Sequence, residues 1–133
     1  MMKADKKFDL EMFFRALADH TRLRLLNLMS DGEVCVCFFV EVIGTSQPKI
    51  SRHLAYLRRA GIIAARREGK WMHYRIAALN DENAAELLRD ICKCLAQDKD
   101  MQRDRERLLK VCCAPKLSVQ LQRAPRPAIA ASF

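Results

Sequence analysis

Two thiols stand one residue apart at Cys35-Val36-Cys37, ahead of an apolar run and of a segment that opens Ser46-Gln47-Pro48-Lys49. A close pair of reduced cysteines can hold a soft metal or metalloid ion, or can pass electrons by forming a disulfide. Successive residues of an α-helix turn by about 100°, so residues i and i+2 point roughly 200° apart and cannot grip one ion, whereas on an extended segment they share a face. A C-x-C at the first turn of a helix is therefore expected to bind an ion only if that turn opens. The amides and dipole at a helix N-terminus also favour the thiolate that a soft ion requires.

Four further cysteines, Cys92, Cys94, Cys112 and Cys113, lie far along the chain. Reduced cysteines often serve as small buried hydrophobes, and Cys92 and Cys94 fit packing on a helix better than ligation. The vicinal pair Cys112-Cys113 fits a second soft-ion site, a redox pair or simple exposure equally well. The charged N-terminus has no signal-peptide core, and no run reaches the ~20 apolar residues of a membrane span. A cytoplasmic protein with reduced thiols, and no disulfide framework, is the expectation.

The positive charge is concentrated. The net charge is +8, and residues 49–75 alone contain eight basic residues and one acidic residue. Such clustering is the footprint of a polyanion-binding face. The elements around it say how that face is built. Helical spacing at Leu10, Phe13, Phe14 and Leu17, and again after Asp19, gives two helices that end at Ser30-Asp31-Gly32. A third fits residues 35–43, stopped by Gly44. A fourth is capped by Ser46 with Pro48 in its first turn. Ile50, Leu54 and Leu57 form its apolar face, which leaves Gln47, Lys49, Ser51, Arg52 and His53 on the others.

Two short helices joined by a tight link, the second with a polar outer face, make a helix-turn-helix whose second helix enters the DNA major groove. Strand-like residues on either side of Glu68-Gly69-Lys70 make a β-hairpin wing that presents Arg67 and Lys70. Asn80 or Asp81 then caps a helix through Ala84, Leu87, Leu88, Ile91 and Leu95, and the charged stretch after it is read as extending that helix to about residue 110. The fold class is mainly α with a β-hairpin wing, a winged helix-turn-helix with a long C-terminal helix. Residues 1–113 make one DNA-binding and dimerisation domain. Residues 114–133, with three prolines and no period, are a disordered tail.

CVC ahead of SQPKISRHLAYLRRAGII, followed by REGKWMHYRI, resembles the ArsR/SmtB family of bacterial metal-responsive winged-helix repressors over residues 10 to about 100. The resemblance implies a homodimer built on the first and last helices, a palindromic double-stranded operator, and release of that operator when an inducer binds. It points to As(III) or Sb(III) at Cys35 and Cys37. Relatives with C-V-C-x-x-C have a third thiol one turn on, where this chain has Val40, so Cys92, Cys94, Cys112, Cys113 or a small thiol from solution is left to complete the set. Cadmium and lead sensors of the family add thiols from an N-terminal arm, but residues 1–34 contain no cysteine. Its zinc sensors use His and carboxylates on the last helix, whereas the histidines here are His20, His53 and His73.

Gln47, Lys49, Ser51, Arg52, His53, Arg67 and Lys70 are the expected DNA contacts. Trp71 and Tyr74 are expected to pack rather than stack on bases. An arsenical-resistance repressor is the leading function. A thiol-redox regulator on the same DNA-binding frame, or a cadmium/lead sensor, is the alternative. An enzyme is not expected, and nor is a catalytic cofactor: four glycines form no cofactor loop, and no C-x-x-C precedes a helix.

Overall fold

Asp9, Asp19, Ser46 and Asp81 each start a helix in the same way, the side-chain oxygen accepting a hydrogen bond from the backbone amide three residues on. The computed structural model describes residues 8–112 together with Pro125 and Pro127. Its elements are α1 (Leu10–Leu17), α2 (His20–Leu28), β1 (Val34–Cys35), α3 (Val36–Ile43), α4 (Gln47–Arg59), β2 (Ile63–Glu68), β3 (Trp71–Ile76), α5 (Glu82–Ala96) and α6 (Lys99–Cys112). Cys113 and, those two prolines apart, the stretch 114–133 read as a tail lie outside the described residues.

The helix-turn-helix and its wing take the expected form. α3 ends at Gly44, whose φ of 78° closes the helix in the left-handed region that glycine tolerates. Ile50, Leu54 and Leu57 of α4 are fully buried against Phe13, Leu25, Leu26, Phe38 and Phe39. β2 and β3 pair antiparallel with Glu68 opposite Trp71, leaving Gly69 and Lys70 as a two-residue turn with Gly69 at φ 61°.

Two features depart from expectation. The sheet has a third strand: β1 pairs antiparallel with β3, Val34 opposite Tyr74 and Cys35 opposite His73, giving the order β1-β3-β2. Cys35 is thus extended and caps α3 rather than lying within it. The long C-terminal helix is two helices. The Gln97 and Asp98 amides donate back to the carbonyls of Cys94 and Leu95, closing α5, and the Asp98 carboxylate accepts from the amides of Asp100 and Met101, opening α6. A second N-cap in mid-stretch breaks what composition presents as continuous.

α6 packs back on α2 and α3 and buries Met101, Asp104, Leu108 and Cys112. Asp104 takes a two-pronged ion pair from Arg24, at 2.7 and 2.9 Å. Asn27 donates to the Met101 carbonyl at 2.9 Å. Arg105 pairs with Asp31, and Arg107 donates to the Glu41 carbonyl on α3. These contacts hold the helix-turn-helix from behind. No helix among the described residues is long and apolar enough to cross a membrane.

Candidate metalloid and nucleic-acid site

The third strand changes the geometry of the thiol pair. With Cys35 extended and Cys37 in the first turn of α3, the two sulfurs are 3.5 Å apart. The expectation that the turn must open before both thiols can meet one ion is therefore corrected. The helical offset does not apply, because one residue of the pair is not helical. Two bonds of about 2.3 Å from sulfur to a soft ion, meeting at about 100°, span about 3.5 Å, so the pair as it stands fits two positions of such an ion.

The electrostatics favour one negative charge on the pair. Cys35 ionises at about 6, well below a free thiol, chiefly because Cys37 donates a hydrogen bond to its sulfur; burial opposes this, and the Cys37 amide, His73 and the Val36 amide assist. Cys37 is pushed up, first by that same hydrogen bond and then by burial and the neighbouring thiolate. One thiolate and one thiol sharing a proton is the resulting state.

Around the pair, His73 is buried opposite Cys35, its Nε2 3.1 Å from a Glu68 oxygen and its Nδ1 3.9 Å from Glu33. Glu33 accepts from Arg66 at 2.7 Å, which holds its carboxyl below the ordinary value, and is 4.0 Å from Arg75. His73 and Glu33 escaped the reading of the sequence, since only the β1–β3 register brings His73 opposite Cys35 and beside Glu33. Among the described residues no group of three or more His, Cys, Asp or Glu is placed to hold a metal ion. The structure therefore does not bring Cys92, Cys94 or Cys112 to the pair: Cys92 is half-buried on α5, Cys94 exposed, and Cys112 buried at the end of α6. Burial pushes the Cys92 thiol up.

The polar residues of the DNA face separate into two groups. Gln47, Lys49, Ser51 and Arg52 on α4 and Arg67 and Lys70 at the wing tip are exposed. Their cationic members have no acidic partner among the described residues. His53 is half-buried instead, its Nδ1 3.2 Å from the Arg22 guanidinium and 3.7 Å from Asp19. It ties α4 to α2 and is not free to read a base through that nitrogen. Trp71 and Tyr74 pack as expected, Lys70 sitting over the Trp71 ring and the Tyr74 ring 6.4 Å from Phe39.

The family model "Bacterial regulatory protein, arsR family" matches residues 19–65, from the start of α2 into β2. The "Arsenical resistance operon repressor" of Escherichia coli K12 is 45% identical over 82 residues, which cover 61% of this chain and 70% of that protein. This chain belongs to the arsR family of bacterial regulatory proteins. As a member it is a DNA-binding transcriptional regulator rather than an enzyme. The "Arsenic resistance transcriptional regulator ArsR1" of Pseudomonas putida KT2440 is 53% identical over 64 residues, but the match spans only 47% of this chain and 50% of that protein. Among solved structures, the homodimeric winged helix-turn-helix domain Mb0332 of Mycobacterium bovis, described as a possible ArsR-family regulator, superposes with a TM-score of 0.55 at 30% identity, covering 68% of this chain and 84% of that one. A winged helix-turn-helix of this family is the frame on which the thiol pair sits.

Proposed function

We propose that this chain is the repressor of an arsenical-resistance operon, binding a palindromic operator as a homodimer in the cytoplasm and leaving it when As(III) or Sb(III) is taken by Cys35 and Cys37. The 3.5 Å approach of the two sulfurs, one of them already ionised, carries the reading. A trivalent arsenical supplies a soft centre that binds thiolates in a pyramid. Cys35 presents the first thiolate and Cys37 the second; each bond to sulfur displaces a hydroxyl of the arsenous or antimonous acid, and the proton the pair shared leaves with a hydroxyl as water. The third donor comes from Cys113 or from a small thiol in solution.

The pair sits where it can act on both DNA-contacting elements. Cys35 belongs to the strand laddered onto the wing, and Cys37 to the helix that supports α4. A ligand that fixes both sulfurs and reaches for a third donor shifts this strand-to-helix junction, and with it the wing relative to the reading helix. Driving the operator-competent form from about 99% to about 1% takes ~5.5 kcal/mol of preferential binding, within the range of soft thiolate bonds and beyond one ordinary hydrogen bond.

Dimerisation would use the apolar surface left open. Leu10 and Phe14 of α1 are about half exposed, and Leu87 and Ile91 of α5 are partly so. Phe13, Leu88 and Leu95 on the same helices are spent in the protomer's own core.

A redox reading draws on the same short sulfur contact, because a thiolate 3.5 Å from a thiol is set for disulfide formation. Labelled operator displaced in turn by arsenite, antimonite, cadmium, zinc and peroxide separates the cases. Release of reduced protein by arsenite or antimonite at the lowest concentration supports the proposal. Release by peroxide alone overturns it in favour of a redox switch, and release by cadmium alone in favour of a cadmium/lead sensor.

A further inference from the structure

Gln47, Ser51, Ala55 and Arg58 form one stripe along α4, flanking the buried face of Ile50, Leu54 and Leu57. Beside its C-terminal half an open cleft of about 410 Å³ separates α4 from β3, lined by Ser51, Ala55, Arg58, Arg59 and Tyr74. No acidic side chain lines it. The Arg58 side chain is exposed and makes no hydrogen bond or ion pair among the described residues. Arg59 lies 5.8 Å from the centre of the Tyr56 ring, a contact that leaves its charge and its N–H donors available. Arg58 is close enough to the Tyr74 hydroxyl across the cleft to oppose the upward push that burial gives its ionisation. Two uncompensated guanidinium groups beside an open polar cleft are matched to an anion.

Length along the helix decides which anion. At 1.5 Å per residue, Arg58 is about 16 Å from Gln47, whereas the major groove is about 12 Å wide. An α4 that enters across the groove with its N-terminal turn among base edges carries its Arg58 end to the groove wall, where the phosphates run. We propose that the cleft between α4 and β3 grips one backbone phosphodiester of the operator, held by Arg58 with Arg59 adding charge and the wing strand at Tyr74 closing the far side. The proposal rests on the operator-binding reading and adds a contact outside the residues that read bases. It also places the phosphate at the thiol junction, since Tyr74 is the ladder partner of Val34, next to Cys35, and its ring is 6.4 Å from that of Phe39 on α3.

The test measures operator affinity across a salt series for the full chain and its Arg58→Ala variant, on unmodified duplexes and on duplexes with single methylphosphonate substitutions. The expected result is a salt slope smaller by about 0.9 in Arg58→Ala, with equal weakening on operator and unrelated DNA. One methylphosphonate position should weaken the parent protein and leave Arg58→Ala unaffected. Parent protein that binds its operator tightly while Arg58→Ala shows the same affinity and slope overturns this proposal and leaves the operator reading standing. Parent protein that binds no duplex overturns both. A third arm titrates inorganic phosphate at constant ionic strength: binding that depends on Arg58, together with unchanged DNA affinity in Arg58→Ala, makes the cleft a free-oxyanion site and overturns the phosphodiester assignment.

Discussion

Replacing Cys37 with alanine removes the donor that stabilises the Cys35 thiolate, and the effect on Cys35 should be large. With ionisation at about 6, Cys35 is mostly thiolate at pH 7, whereas an ordinary thiol at about 8.5 is mostly protonated. In Cys37→Ala the hydrogen bond, the largest cause of the shift, is gone, while burial, which opposes the charge, and the two backbone amides and His73, which assist it, remain. Cys35 should then ionise well above its parent value, towards that of an ordinary thiol. The assay is ultraviolet thiolate absorbance against pH, taken as the difference between each protein and the Cys35→Ser, Cys37→Ser double variant so that the other four thiols cancel. The parent difference should step near pH 6, and the Cys37→Ala difference clearly higher, towards about 8.5. The sign carries over to stability. A folded value below the unfolded one adds stability that is fully present above about 8.5 and is lost as pH falls through about 6, so this part of the pH dependence should vanish in Cys37→Ala. A step near 6 that survives the substitution, or a parent step at 8.5, refutes the shared-proton pair.

Gln47→Ala should relax specificity at one operator position by ~1–3 kcal/mol, while Lys70→Ala should weaken all sequences and lower the salt slope by about 1; labelled-duplex titrations read both. Phe14→Asp places a charge on the exposed apolar face of α1 and should shift the dimer towards monomer by sedimentation, with palindrome affinity falling in step. Arg24→Ala strips Asp104 of its two-pronged partner at the α2–α6 contact and should cost about 2–3 kcal/mol in denaturant unfolding at fixed protein concentration.

The helix-turn-helix and wing were legible because each rests on local chemistry: capping side chains, Pro48 in a first turn, Gly44 and Gly69 where the backbone turns left-handed, and a clean apolar period in α4. β1 was not legible. Two residues carry no period, and their strand character comes from pairing with β3, some forty residues away in sequence. That one omission hid three things at once: the extended Cys35, its approach to Cys37, and the placing of His73 and Glu33. The α5–α6 break was hidden for a related reason, since Asp98 reads as one more charge in a charged stretch until its carboxylate is seen capping α6. His53 looked free on a helical wheel because a wheel does not show Arg22 on the neighbouring helix.

The central claim is that the Cys35–Cys37 pair is the sensor, and arsenite titration of an operator complex formed by the Cys35→Ser, Cys37→Ser double variant tests it most directly. Serine at position 35 can cap α3, where cysteine makes no side-chain cap, and that gain of roughly 1 kcal/mol offsets the cost of burying a hydroxyl. The double variant should fold, bind the operator with near-parent affinity and show no release at any arsenite concentration that empties the parent complex. Release at the parent concentration would contradict it, leaving the pair a structural part of the β1–α3 junction.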